Sequence, residues 1–145
     1  MTIRRAAPAD LAHVLRLALL LWPDNEPEAL SAELTALLAR RDAAVFLCEW
    51  DGAAAGFAQC QLRRDYVEGC ETSPVGYLEG VYVEEAHRRE GAASALLAAC
   101  QDWARAQGCR EFASDCELVN ADSLRFHLRA GFEETNRIIC FVKRL

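Results

Sequence analysis

Residues 77–104 read YLEGVYVEEAHRREGAASALLAACQDWA, and they constrain this chain more than any other stretch. Tyr77 to Val83 has the apolar, β-branched and aromatic make-up of a strand. A short polar link follows and ends at Arg88-Arg89-Glu90-Gly91-Ala92-Ala93. From there Ala92, Leu96, Leu97, Cys100, Trp103 and Ala104 recur at helical spacing. A strand leading through a basic, glycine-containing turn into a helix is suited to holding phosphate. The free N–H groups of the first helical turn point at the anion, and the helix dipole favours negative charge there. Gly91 and the two alanines let backbone and ligand come close. The glycine spacing excludes both the G-x-x-x-x-G-K-[ST] loop and the G-x-G-x-x-G dinucleotide fingerprint.

The remaining chain places this unit in a single α/β domain spanning residues 1–145. Thr2–Arg5 is a short strand. Pro8 and Asp10 suit a helix start, and Leu11, Val14, Leu15, Ala18 and Trp22 share one helical face until Pro23. A second helix opens at Pro27, with Leu30, Leu34, Leu37 and Leu38 inward. Ala43–Trp50, the hairpin signal Asp51-Gly52 and Ala54–Tyr66 form an antiparallel pair. Residues 67–74 are a polar loop. After the helix that ends at Gly108, Arg110–Asp115 is a strand, and Asn120 or Asp122 starts a helix closed by Gly131. Phe132–Glu134 and Arg137–Lys143 read as a closing strand pair. The order predicts a mixed central sheet with helices on both faces.

Charge and cysteine usage narrow the function classes. With 22 acidic against 16 basic residues, the net charge of −6 argues against nucleic acid and suits a cationic small molecule. The seven cysteines are odd in number, scattered and without a C-x-x-C pair, so neither a metal site nor a disulfide framework is expected. They read as reduced, small hydrophobes of a cytoplasmic protein. No membrane span and no signal peptide are expected.

The pattern Arg88-x-x-Gly91-x-Ala93, following Val83, resembles the acetyl-CoA pyrophosphate loop of the GNAT superfamily of N-acetyltransferases. The ending Asn120-Ala121-Asp122-Ser123 through His127 to Gly131-Phe132 resembles a second signature of that superfamily, and the element order resembles its fold throughout. Four further stretches narrow the likeness: Asp65-Tyr66-Val67-Glu68-Gly69-Cys70, Leu78-Glu79-Gly80, Leu21-Trp22-Pro23 and Ala113-Ser114-Asp115. Together they resemble the aminoglycoside 6′-N-acetyltransferases of antibiotic-resistant bacteria.

The resemblance implies acetyl-CoA as donor and a homodimer. It implies that Val81, Tyr82, Val83, the 88–93 turn (Arg88, Arg89, Glu90, Gly91, Ala92, Ala93), Asn120, Ser123 and His127 approach the CoA. It also implies that the Val81 N–H polarises the thioester carbonyl. Aminoglycosides are polycationic sugars, so their site needs carboxylates for ammonium groups and flat aromatic faces for rings. Glu79 and Asp115 supply the charge; Trp22 and Tyr66 supply the faces. Either carboxylate can serve as the general base that takes the proton of the attacking amine. His127, where many relatives carry tyrosine, can protonate the leaving thiolate or simply contact CoA. Glu90 inside the phosphate turn, and Asn136 where close relatives often carry an acid, depart from the family pattern. Two other readings stay open: a GNAT enzyme for another amine such as a polyamine or peptide, and a non-catalytic acyl-CoA sensor.

Overall fold

The structure, a computed structural model, describes residues 1–145. Five strands form one sheet: β1 (Thr2–Arg5), β2 (Ala43–Trp50), β3 (Ala53–Arg63), β4 (Val75–Val83) and β5 (Phe112–Ser114), in that spatial order. The first four are antiparallel neighbours, and β5 joins β4 in parallel. Four helices cover the sheet: α1 (Leu11–Leu21), α2 (Pro27–Leu38), α3 (Ala92–Ala106) and α4 (Ala121–Arg129). Helices α1 and α2 pack on one face around Val14, Leu17, Leu34, Val45, Leu47 and Phe57. Helices α3 and α4 cover the other around Cys60, Leu78, Leu96, Leu97, Cys100 and Trp103. Phe57, Leu17, Leu47 and Leu96 are fully buried, each worth roughly 1.5–3 kcal/mol in removed apolar surface.

The six α3 residues placed inward by periodicity are all buried. The Asp51-Gly52 turn has positive φ at both positions (49° and 79°), as a type I′ hairpin requires. All seven cysteines carry free thiols, and four are buried as small hydrophobes. No helix is long and apolar enough to cross a membrane.

Two irregularities in β4 position the site. Gln59 pairs with Gly80 while Cys60 pairs with Leu78, so Glu79 is an extra, unpaired residue in the β3–β4 ladder. A bulge of this kind re-aims its side chain and bends the strand. On the other side, β5 pairs only with Gly76, Tyr77 and Leu78 of β4. Beyond Leu78 the two strands part, and residues 79–83 have no strand partner on their β5 side.

The closing strand pair expected over 132–143 does not form. Residues 132–145 carry no regular structure, and Ile138, Ile139, Phe141 and Val142 stand exposed. Local anchors explain the course of the chain. Asn136 donates to Glu68 at 2.9 Å, Arg137 pairs with Glu134, and Thr135 packs against Gly69. The contacts of Asn136 and Thr135 tie the segment to the 64–74 loop instead of the free edge of β5. The β-competent composition is real, but the segment is held along the 64–74 loop and leaves the outer edge of β5 unpaired. Strand β5 is also shorter than the expected Arg110–Asp115, and β3 ends at Arg63 where strand character to Tyr66 was expected.

Candidate active site

The 88–93 turn is built for close backbone approach. After the 3₁₀ turn Glu85–His87, Arg89 takes φ 65° and Gly91 takes φ 82°. A turn that passes through left-handed residues directs neighbouring N–H groups to one side, a concavity that accepts anions. Gly91 is the N-cap of α3 and no side chain caps it. The first helical bond runs from Ala95 N–H to the Gly91 carbonyl, so the N–H groups of Ala92, Ala93 and Ser94 have no partner within the helix. A β-carbon at Gly91 would meet nothing within 4 Å, so the glycine is required by conformation and not by crowding.

Two charged residues of this turn, Arg88 and Glu90, are tied back to the sheet. Arg88 donates from Nε to the Val83 carbonyl at 2.8 Å, and its guanidinium lies 5.6 Å from the Tyr82 ring centre. Glu90 accepts from the indole N–H of Trp50 at 3.1 Å. Trp50 also stacks on His87 with ring centres 4.2 Å apart. The β2–β3 hairpin therefore buttresses the turn and holds the Glu90 carboxylate, the anion least welcome beside phosphate.

Glu79 opens into a cavity of about 650 Å³ between α2 and the sheet. Trp22, Gln59, Gln61, Glu33 and Arg40 share its walls. Trp22 sits edge-on to Phe57, with ring centres 5.9 Å apart. A β-carbon on Gly80 would come within 2.5 Å of the Trp22 ring, so the glycine after Glu79 makes room for the indole. Glu79 is paired: Arg63 Nη2 lies 2.9 Å and 3.2 Å from its two oxygens. The Arg63 guanidinium carbon sits over the Tyr77 ring, 3.4 Å from its centre. The Tyr77 hydroxyl in turn donates to the Asp115 carboxylate. Burial first, and then this carboxylate, hold the Tyr77 hydroxyl in its protonated form by pushing its pKa up.

His127 stands at the fork. Its Nδ1 lies 2.7 Å from the Ser123 carbonyl, which can only accept, so Nδ1 carries a hydrogen. Its Nε2 lies 2.8 Å from Ser114 Oγ, and Ser114 Oγ lies 3.2 Å from the Leu78 carbonyl. A neutral ring accepts at Nε2 from the serine. A charged ring donates there while the serine turns to Leu78. Both protonation states are fully hydrogen-bonded. Asn120 is the N-cap of α4 and accepts from Ser123 N–H at 3.1 Å.

Glu79, Trp22, Val81 and the 88–93 turn thus lie along β4 and its continuation, and Asp115 joins through Tyr77. Tyr66 and Asn136 stand apart from the cavity. Tyr66 is 78% exposed on the 64–74 loop, and Asn136 is engaged with Glu68. Residues not anticipated are Gln59, Gln61 and Arg63, together with Tyr77, Ser114 and Trp50. The first three alternate along β3 as polar-x-polar-x-polar. This period-two signal shows that one face of a long central strand is wet. Ser114 and Tyr77 gave no such signal, because their partners come from elements distant in sequence.

The sheet parts between β4 and β5 beyond Leu78, and β4 leads through the 84–91 link to the open N-terminus of α3. The chain belongs to the acetyltransferase (GNAT) family, whose model matches residues 11–132. It is 49% identical over 141 residues to an aminoglycoside N(6′)-acetyltransferase type 1 of Stenotrophomonas maltophilia, covering 97% of this chain and 91% of the relative. It is 46% identical over 132 residues to the protein of that name from Serratia marcescens, covering 90% of each. Among solved structures, it superposes with a TM-score of 0.95 on AAC(6′)-Iy in complex with the bisubstrate analogue CoA-S-monomethyl-acetylneamine. That pair shares 41% identity and covers 99% of this chain and 98% of the other. The apo aminoglycoside 6′-N-acetyltransferase of Acinetobacter haemolyticus also gives a TM-score of 0.95, at 39% identity over 100% of this chain and 99% of the other.

Proposed function

We propose that this protein transfers the acetyl group of acetyl-CoA to the 6′-amine of aminoglycosides by direct attack in a ternary complex, and that a cell carrying it resists those drugs. The observation that carries the reading is the composition of β4. One strand holds a carboxylate at its bulge, facing a cavity walled by Trp22, and a free edge that runs from there to an open helix N-terminus. The residues fit the donor substrate: the pyrophosphate would lie on the N–H groups of 89–94, and the pantetheine arm along residues 81–83.

Chemistry then falls to named groups. The acceptor arrives as an ammonium ion and must lose a proton before its nitrogen can attack. Glu79, directly or through water, takes that proton, while Asp115 holds a neighbouring ammonium group. The Val81 N–H donates to the thioester oxygen as negative charge gathers there. As the carbon–sulfur bond breaks, the sulfur takes a proton delivered from His127 through the Ser114 hydroxyl. The two hydrogen-bonding states of His127 let it release and regain that proton without losing its anchors.

A single domain over residues 1–145 carries both substrate sites, and the reduced thiols suit a cytoplasmic setting. Two copies associate through the exposed apolar residues Ile138, Ile139 and Phe141. Light scattering is expected to give twice the 16.1 kDa chain mass.

Purified protein, acetyl-CoA and a thiol reagent test the activity against a panel of kanamycin, tobramycin, spermidine and a peptide. Thiol release is expected with the aminoglycosides. Release with spermidine or the peptide alone makes it an acetyltransferase for another amine; no release with any amine makes it a sensor.

A further inference from the structure

We infer that Arg63 is a positioning residue for the acceptor site: it fixes the Glu79 carboxylate from within the protein, and is itself fixed by the Tyr77 ring. The inference rests on the proposed role of Glu79. Glu79 is the extra residue of a β-bulge, so no ladder partner sets its direction. What sets it is Arg63, whose Nη2 reaches both carboxylate oxygens. An exposed arginine–carboxylate pair is normally mobile and contributes little. Here the guanidinium is also stacked on an aromatic face at 3.4 Å, and that ring is 6% exposed and cannot swing away. The same ring donates through its hydroxyl to Asp115. The four side chains form one unit in the order Glu79, Arg63, Tyr77, Asp115, with the buried tyrosine as its fixed point. A protein cation that stays on Glu79 leaves the carboxylate oriented, with lone pairs still open to an incoming ammonium group. The alternative is a cation that competes with the substrate for Glu79. The stacking argues against it, because a group anchored on a second face is not readily displaced.

The test is a double-mutant cycle on the full chain with tobramycin as acceptor. Arg63→Gln is expected to raise the acceptor KM about tenfold while the KM for acetyl-CoA stays within about twofold of wild type. The unchanged acetyl-CoA term shows that the variant is folded. In a Glu79→Gln background, Arg63→Gln is expected to add nothing, because the group it positions is already altered. An unchanged or lowered acceptor KM in Arg63→Gln overturns the inference, and a lowered one identifies Arg63 as a competitor. An undiminished effect in the Glu79→Gln background also overturns it. The two levels separate cleanly. If Glu79→Gln alone is silent, the reading of Glu79 fails; if Glu79→Gln acts and Arg63→Gln does not, only the positioning role fails.

Discussion

The two halves of the site are made of different material. The turn from Arg88 to Ala93 offers backbone: two residues at positive φ, an uncapped helix N-terminus and N–H groups without partners. The cavity beside Glu79 offers side chains, and these are already engaged with one another, from Arg63 on Glu79 to Tyr77 on Asp115. A backbone site depends on conformation and tolerates many side chains. A side-chain site depends on partners that must all be present. The first suits a donor that never varies, and the second suits discrimination among acceptors. The halves meet on β4, where residues 79 and 81 are separated by the glycine that accommodates Trp22.

This contrast can be broken by substitutions that strike one half only. The largest effect is expected from Glu79→Gln, which removes the proposed proton acceptor. Its kcat/KM for tobramycin should fall by about a hundredfold or more, the usual scale for a general base. Next is Gly91→Val. A left-handed backbone costs roughly 1–2 kcal/mol for an ordinary residue and more for a β-branched one. The KM for acetyl-CoA should rise about tenfold or more, with the acceptor KM unchanged. Trp50→Phe keeps the stack on His87 but removes the indole N–H from Glu90. An increase of about threefold in the acetyl-CoA KM is expected, the worth of one exposed hydrogen bond.

The smallest kinetic effect is expected far from both halves. Arg4 hydrogen-bonds Asp10, and that contact, followed by the Ala7 N–H, lowers the Asp10 pKa from 3.8 to about 2. A carboxylate depressed in the folded state stabilises it above its unfolded pKa, and the contribution is lost as pH falls through the folded value. Arg4→Met should therefore lower the melting temperature at pH 7, and the difference from wild type should shrink between pH 4 and pH 2. Both KM values should stay at wild-type levels.

The same contrast explains what could be read in the sequence. The backbone half was legible because it depends on local order: Val83, Arg88, Gly91 and the periodic residues of α3 lie in one continuous stretch. Glu79 and Trp22 were legible as residues, but not the bulge and the glycine contact that bring them together. Arg63 and Tyr77 went unread because they come from neighbouring strands, and their stacking depends on a register set by the whole sheet. The tail from 132 onward was misread for a related reason. Its apolar run of β-branched and aromatic residues from Ile138 to Val142 is that of a strand, but contacts at Glu68 and Gly69 lead it away from the sheet edge.

The central claim is that β4 joins two separable half-sites, one of backbone and one of side chains. Initial rates of the Glu79→Gln, Gly91→Val and combined variants, over a grid of acetyl-CoA and tobramycin concentrations, test it most directly. The account predicts that the combined loss in rate, with both substrates below saturation, equals the product of the two single losses, with the acetyl-CoA KM unchanged in Glu79→Gln and the tobramycin KM unchanged in Gly91→Val. A Glu79→Gln variant that turns over like wild type, or a Gly91→Val variant that raises the tobramycin KM as much as that of acetyl-CoA, would contradict it.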